Sequence, residues 1–372
     1  MSDAELLSLG TQVLWAAFGL GLLFGAIAQR THFCTMGAVA DIVNIGDWSR
    51  MRMWVLAIAV AMLGFNAMVA LGWLRAADSL YAPPLWLWLS QIVGGLMFGF
   101  GMVLASGCGS KTLVRIGGGN LKSLMVFIVL ALAAFATLKG ITAVLRVNTV
   151  DSVRWALPAA GQDLPSLVAA AFGGSAAQHA GWLGLLFGGA LAAWVLMRSE
   201  GRSPDVLVGG LGIGGVIVAA WWVSGRLGFV PEHPQTLEPT FLATNSQRME
   251  AFSFVAPLAY SVDWLLFFSD KTKLLTQGIV IVAGVVLGSA AVALVGRSFR
   301  WEGFRGVEDT ANHVVGALLM GIGGVTALGC TIGQGLSGVS TLSIGSFVAL
   351  ASIIAGAVGA LRWQVWRIER QA

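Results

Sequence analysis

Cysteine is the softest ligand and donor this chain of 372 residues possesses, and it occurs at three places, Cys34, Cys108 and Cys330. Each lies where an apolar stretch breaks into small or polar residues: Arg30-Thr31-His32-Phe33-Cys34-Thr35-Met36-Gly37, Ala105-Ser106-Gly107-Cys108-Gly109-Ser110-Lys111-Thr112 and Ala327-Leu328-Gly329-Cys330-Thr331-Ile332-Gly333. A lone cysteine in an apolar helix is ordinarily a small hydrophobic filler. Three of three at such breaks read instead as working thiols. A close-spaced dithiol oxidoreductase lacks its Cys-x-x-Cys motif here. A copper(I) path would suit thiolates, yet only His32 and Met36 stand nearby as further soft ligands. An anionic, sulfur-containing solute fits better. A neutral thiol is a weak S–H donor with a polarizable sulfur, so three of them could hand a soft sulfur atom along without a covalent step. The thiols would have to stay protonated, which burial in an apolar site favours, because a thiolate would repel an anion.

The neighbours of the cysteines agree with that reading. Broken helices expose N–H groups and carry partial positive charge at their N-termini, and Gly107, Gly109 and Gly329 would let a solute approach the backbone. Lys111 and Arg115 follow Cys108, and Arg30 and His32 precede Cys34; they serve either to draw the anion or to set topology. Gly109-Ser110-Lys111-Thr112 is similar to a phosphate loop but has Ser110 where the glycine before lysine belongs. The sequence suggests neither a metal site nor a cofactor, and its basic character, net +4, is spread along the chain rather than gathered for nucleic acid.

The elements that must position these residues are membrane helices. A chain 57% hydrophobic and 11% charged cannot present a normal solvated surface, where about a quarter of residues are charged. Nine windows are long and apolar enough to span a bilayer: about 11–29, 53–74, 86–106, 122–143, 181–197, 206–224, 276–296, 313–329 and 344–362. Asp3 and Glu5 stand where a cleavable signal needs positive charge, so the first span is expected to be retained. The tryptophans fall largely at span ends, as aromatic belts do. No carboxylate lies deep in a span, which argues against an Asp/Glu proton relay within the helices.

The chain repeats itself. An offset of 222 residues pairs Gly94 with Gly316, Gly99 with Gly321, Gly101 with Gly323, Gly107 with Gly329 and Cys108 with Cys330. The echo Gly21-Leu22-Leu23-Phe24-Gly25 and Gly184-Leu185-Leu186-Phe187-Gly188 suggests that the fifth span is the partner of the first. Basic residues, including Arg50, Arg52, Lys111, Arg115, Arg300, Arg305 and Arg367, gather on the side of the C-terminus, which puts that end in the cytoplasm and the N-terminus outside. The spans before Cys108 and Cys330 then run in opposite directions, so the repeats are inverted, a recurring transporter plan. The expected fold is an all-α membrane protein with about nine transmembrane helices plus short re-entrant helices, in two inverted pseudo-symmetric repeats. Residues 1–372 form one transmembrane domain, with repeat 1 at about 11–143 and repeat 2 at about 181–363. Segments 144–180 and 225–273 are expected to lie outside, the second with a surface helix in its apolar run from Phe252 to Phe268.

The motifs Phe24-Gly25-Ala26 with His32-Phe33-Cys34, Gly99-Phe100-Gly101 with Ser106-Gly107-Cys108, and Gly321-Ile322-Gly323 with Gly329-Cys330 resemble the YeeE/YedE family of bacterial inner-membrane sulfur transporters, over nearly the whole chain. The resemblance implies a non-enzymatic thiosulfate uptake protein whose re-entrant helices pinch an hourglass-shaped path. It implies that Cys34, Cys108 and Cys330 relay thiosulfate through S–H···S hydrogen bonds. Members are often coupled to a small cytoplasmic sulfur carrier of the TusA type or to a rhodanese. The family also includes proteins linked to selenium, so a permease for a selenium compound or another sulfur species is one alternative. A membrane thiol-disulfide redox protein is the other.

Overall fold

The computed structural model describes residues 2–304 and 306–370; Arg305, among the basic residues counted above, lies outside them. In chain order the helices are α1 (Asp3–Thr31), α2 (Thr35–Ile45), α3 (Ser49–Ala70), α4 (Trp88–Leu104), α5 (Gly109–Gly117), α6 (Leu121–Lys139) and α7 (Ile141–Asn148). They continue with α8 (Leu164–Phe172), α9 (Ala176–Leu196), α10 (Pro204–Trp222), α11 (Ala256–Leu266), α12 (Gln277–Val295), α13 (Val307–Thr326) and α14 (Ile344–Glu369). The described strands form two short antiparallel ladders, Leu85–Trp86 with Trp155–Ala156 and Phe229–Val230 with Thr240–Phe241.

Nine described helices, α1, α3, α4, α6, α9, α10, α12, α13 and α14, coincide with the nine expected spans. Eight helical stretches among the described residues are long and apolar enough to cross a membrane. The ninth helix, α13, falls short in apolarity because Glu308, Asp309, Asn312 and His313 occupy its first two turns. Those turns are partnered: Lys122 reaches Asp309 at 2.7 Å and Arg367 reaches Glu308 at 2.7 Å. The chain is a multi-pass, all-α membrane protein.

Lipid tails give apolar helices no hydrophobic reason to associate, so close backbone packing through small residues must do it. The glycines paired by the 222-residue offset do this crosswise. A Cβ on Gly94 would lie 2.6 Å from the Gly323 carbonyl oxygen, and one on Gly323 would lie 2.6 Å from that of Gly94. Gly101 and Gly316 meet in the same reciprocal way, again at 2.6 Å. Helices α4 and α13 therefore cross antiparallel, backbone on backbone. Elsewhere α1 runs parallel to α12, with Gly21 against Ile281 and Gly25 against Val285, and α10 runs beside α3, with Gly210 against Leu56. Helix α4 packs on α14, and α6 packs on α13.

Exchanging α1 for α10, α3 for α12, α4 for α13 and α6 for α14 maps this packing onto itself. The repeat counterpart of α1 in this scheme is α10, not the fifth span suggested by the Gly-Leu-Leu-Phe-Gly echo. Helix α9 lies outside the scheme, with Gly184 against Asn66 and Gly188 against Leu63 of α3. The shared pattern reports close helix packing, a use of glycine that needs no common role.

Two further expectations change. Most of the tryptophans at span ends are exposed, as Trp48, Trp73, Trp182, Trp301 and Trp366 illustrate, but Trp54 and Trp221 are core residues; the Trp221 indole N–H donates to Ser340 Oγ at 3.0 Å. The segment 225–273 is also not wholly peripheral. Phe252, Phe254 and Val255 are buried, and Phe252 and Phe254 stand 5.1 and 5.4 Å from the Phe24 ring of α1. Helix α11 then emerges against α6 and α12, leaving Leu265, Leu266, Phe267 and Phe268 exposed. The apolar run therefore divides into a buried, irregular insertion and a half-buried helix.

Candidate functional site

The three breaks share a local construction. Helix α1 stops at His32, whose φ of 53° is left-handed, and α2 starts with Cys34 as its N-cap. The Cys34 sulfur accepts the Gly37 N–H at 3.3 Å. Helix α4 ends before Ser106 (φ 56°), and α13 ends before Leu328 (φ 59°), its 222-residue counterpart. Cys108 N-caps α5, with its sulfur 3.3 Å from Ser110 Oγ. The Cys330 sulfur accepts the Gly333 N–H at 3.4 Å, just ahead of a π-helical turn, Gly333–Gly338. At Cys34 the thiol therefore replaces the usual hydroxyl or carboxylate cap, and Cys330 accepts a backbone N–H three residues on in the same way, ahead of the Ile332 that caps its turn. Such a sulfur spends a lone pair on a backbone N–H and keeps its S–H proton free to donate.

The carbonyls freed by the breaks are also answered. Arg115 donates to the Ser106 carbonyl at 2.7 Å, and the Gln334 side-chain amide donates to the Ala327 carbonyl at 2.7 Å. Cys34, Cys108 and Cys330 are buried free thiols.

Cavities open at the two ends of α12. At its C-terminal end a cavity of about 520 Å³ is lined by Gln29, Arg30, His32, Lys111, Arg115, Asn120, Arg300 and Glu302, among others. An adjoining one of about 240 Å³ adds Cys34, Gly37, Arg50 and Ser106 to His32, Lys111 and Arg115. Arg50 lies over Gly37, where a Cβ would come 2.6 Å from its guanidinium, and it pairs with Asp41 at 3.2 Å. This end is the basic mouth. At the N-terminal end of α12, roughly 27 Å away for a helix of this length, a cavity of about 160 Å³ is lined by Tyr81, Arg146, Asn245, Ser246, Glu250, Ser253, Tyr260, Gly278 and Gly329, among others. Ser253 Oγ lies 2.7 Å from where a Gly333 Cβ would sit, so this cavity rests on the Cys330 break. It is called the carboxyl mouth below, after Glu250.

The residues singled out in the sequence thus divide. His32, Cys34, Lys111 and Arg115 come together at the basic mouth. Gly107 lies against the Lys111 stem, with a Cβ position 3.2 Å from Lys111 Cγ, and Gly109 lies against Phe254. Gly329 faces the other cavity. The sequence reading missed Arg50, and it missed Tyr81, Arg146, Glu250, Ser253 and Tyr260. A usable signal was present in Glu250 and Arg146, the charges flanking stretches otherwise rich in apolar residues. Burial pushes the Glu250 carboxyl up from its ordinary value, against the opposing hydrogen bond from Ser246, and burial also pushes the Tyr81 and Tyr260 hydroxyls up.

The sequence profile described as Sulphur transport matches residues 30–359. A protein named thiosulfate transporter TsuA from Spirochaeta thermophila is 26% identical over 359 residues, covering 92% of this chain and 97% of its own length. Its namesake in Escherichia coli is 26% identical over 362 residues, covering 95% of each chain. A protein named probable transporter YedE from Salmonella typhimurium is 33% identical over 98 residues, or 26% of this chain and 22% of its own.

Proposed function

We propose that this chain, which belongs to the sulphur transport family, carries thiosulfate across the bacterial inner membrane through the three cysteine breaks. The observation that carries the reading is the placement of the thiols. Cys34 lines one mouth, Gly329 beside Cys330 lines the other, and Cys108 is the N-cap of α5, whose Lys111 and Arg115 line the first. The two relatives named as thiosulfate transporters, similar over nearly their full length, support that cargo.

Thiosulfate has a soft terminal sulfur and a hard, triply oxygenated end. The soft end suits the S–H groups freed by the capping geometry of Cys34 and Cys330. The hard end suits the cationic and amide side chains beside the breaks, where Gly107 lies on the Lys111 stem, Gly109 on Phe254 and Gly329 on the Gln334 side chain. Passing the sulfur from Cys330 to Cys108 to Cys34 exchanges one weak hydrogen bond for another, so no station holds the anion tightly enough to trap it. Lys111, Arg115 and His32 then receive it at the basic mouth. In this reading the basic mouth and the C-terminus face the cytoplasm, where basic residues are favoured. The repeats, about 11–143 and 181–363, are the two halves between which the path runs. A TusA-like carrier or a rhodanese would take the sulfur on from there.

The test is uptake of labelled thiosulfate by cells lacking other thiosulfate transporters, comparing the native chain with Cys34→Ser, Cys108→Ser and Cys330→Ser at matched expression. Uptake by the native chain and loss in each variant is the expected result. Native uptake with normal uptake by the variants sinks the relay, and absence of native uptake sinks the cargo.

A further inference from the structure

The carboxyl mouth holds something an anion path would be expected to avoid. Its cavity of about 160 Å³ is roughly ten times what one water molecule needs, ample for a five-atom oxyanion. Its floor is the Cys330 break, through Gly329 and through Ser253 against Gly333. Arg146 of α7 and Glu250 both line it. The buried Arg146 Nε stands 3.4 Å from Asp151 Oδ2, an ion pair without hydrogen-bond alignment. Glu250 is held in place rather than free to swing away. Its N–H donates to Ser224 Oγ at 2.9 Å, and its carboxylate accepts the Ser246 N–H at 2.9 Å.

The surrounding charges nearly cancel. From the segment before α4, Arg75 pairs with Asp78 at 3.8 Å. From α11, Asp263 pairs with Lys273 at 2.7 Å. From α7, Arg146 pairs with Asp151. Arg248, beside Glu250 in the chain, donates to the Ala77 carbonyl. Tyr81, Tyr260 and Cys330, the remaining titratable neighbours, are neutral as hydroxyls and thiol. With Glu250 ionised, Arg248 is offset and the mouth has no net positive charge; with Glu250 protonated it has one.

We propose that this cavity is where the anion is loaded, with Arg146 as the attracting cation, and that Glu250 must be protonated when a dianion enters. The proposal rests on the thiosulfate reading and adds to it the loading residues and a proton requirement. A dianion beside an ionised carboxylate in a partly desolvated cavity meets like charge. A protonated carboxyl instead offers it an O–H donor. Burial raises the Glu250 carboxyl from its ordinary value, the direction that loading requires. The step is a binding equilibrium: one proton from solvent joins the Glu250 carboxylate, and no bond within the anion is made or broken.

The experiment is calorimetric titration of thiosulfate into the purified full-length protein from pH 5.5 to 8.5, where thiosulfate stays a dianion, in buffers of differing ionisation enthalpy. The expected apparent Kd rises roughly tenfold per pH unit above the Glu250 pKa, with close to one proton taken up on binding. Glu250→Gln should bind tightly, with neither pH slope nor proton uptake from this group. Arg146→Gln should bind more weakly at every pH while keeping the slope. Binding by the native chain without slope or proton uptake, or a slope that persists in Glu250→Gln, overturns the proposal and leaves the thiosulfate reading standing. No thiosulfate binding by the native chain at any pH overturns both.

Discussion

Three and seven places after Cys108 the chain has Lys111 and Arg115; at the same places after Cys330 it has Gly333 and Ser337. The two breaks have the same left-handed stop at Ser106 and Leu328, and each has a side chain that caps a freed carbonyl. What differs is charge. Around the first, Arg30, Arg50, Lys111 and Arg115 line open cavities. Around the second, one paired arginine shares a smaller cavity with a carboxyl. A scaffold built twice has thus been given two unlike ends, and an anion on it finds a positive potential at one end only. Direction along a symmetric fold is in this way supplied by side chains rather than by backbone.

The largest effect should come from erasing that difference. Lys111→Glu puts a carboxylate at the basic mouth, and the rate of thiosulfate uptake should fall by roughly tenfold or more, measured as initial rates at matched expression. Uptake at the native rate would mean that the charge asymmetry sets topology alone. The backbone symmetry can be tried separately. Gly94→Leu and its repeat counterpart Gly316→Leu each drive a side chain into a facing carbonyl, and each should cost on the order of 1–3 kcal/mol by thermal unfolding in detergent. The two losses should match, and a marked inequality would break the equivalence of α4 and α13. The smallest effect concerns Glu250 and stability. Its carboxyl is raised from the ordinary value of 4.5 in the folded chain, so the folded state keeps a proton that the unfolded state releases. That contribution is full below the unfolded value and is lost as pH rises through the raised one. The native Tm should therefore decline across that window, and the decline should be shallower in Glu250→Gln.

Much of this architecture was legible in the sequence because membrane helices announce themselves by length and apolarity, and because glycine leaves a trace at every close crossing. All nine expected spans are helices, including α13, whose polar first turns are met by Lys122 and Arg367. The breaks were legible because a Gly-Cys in apolar surroundings has few other uses. The carboxyl mouth was not legible, since its walls come from Tyr81, Arg146, the stretch from Asn245 to Tyr260 and Gly329, which no local pattern joins. Nor was the insertion of Phe252 and Phe254 against Phe24: an apolar run beside prolines reads equally as a surface helix until its partner ring is known. The mistaken partner for α1 has a simpler cause. Glycines four apart fit any tight helix pair, so Gly184 and Gly188 matched Gly21 and Gly25 by serving a similar need against a different neighbour.

The crossing of α4 and α13 has a consequence for where such a molecule comes from. Gly94 meets Gly323 and Gly101 meets Gly316 by the same distance in both directions, which is the self-complementary contact of an isologous dimer. A half-length ancestor inserted into the membrane both ways up would have built this seam between two identical copies. Fusion of such copies into one polypeptide would free each end to diverge, and expressing residues before and after α9 as two separate chains would ask whether the halves can find one another.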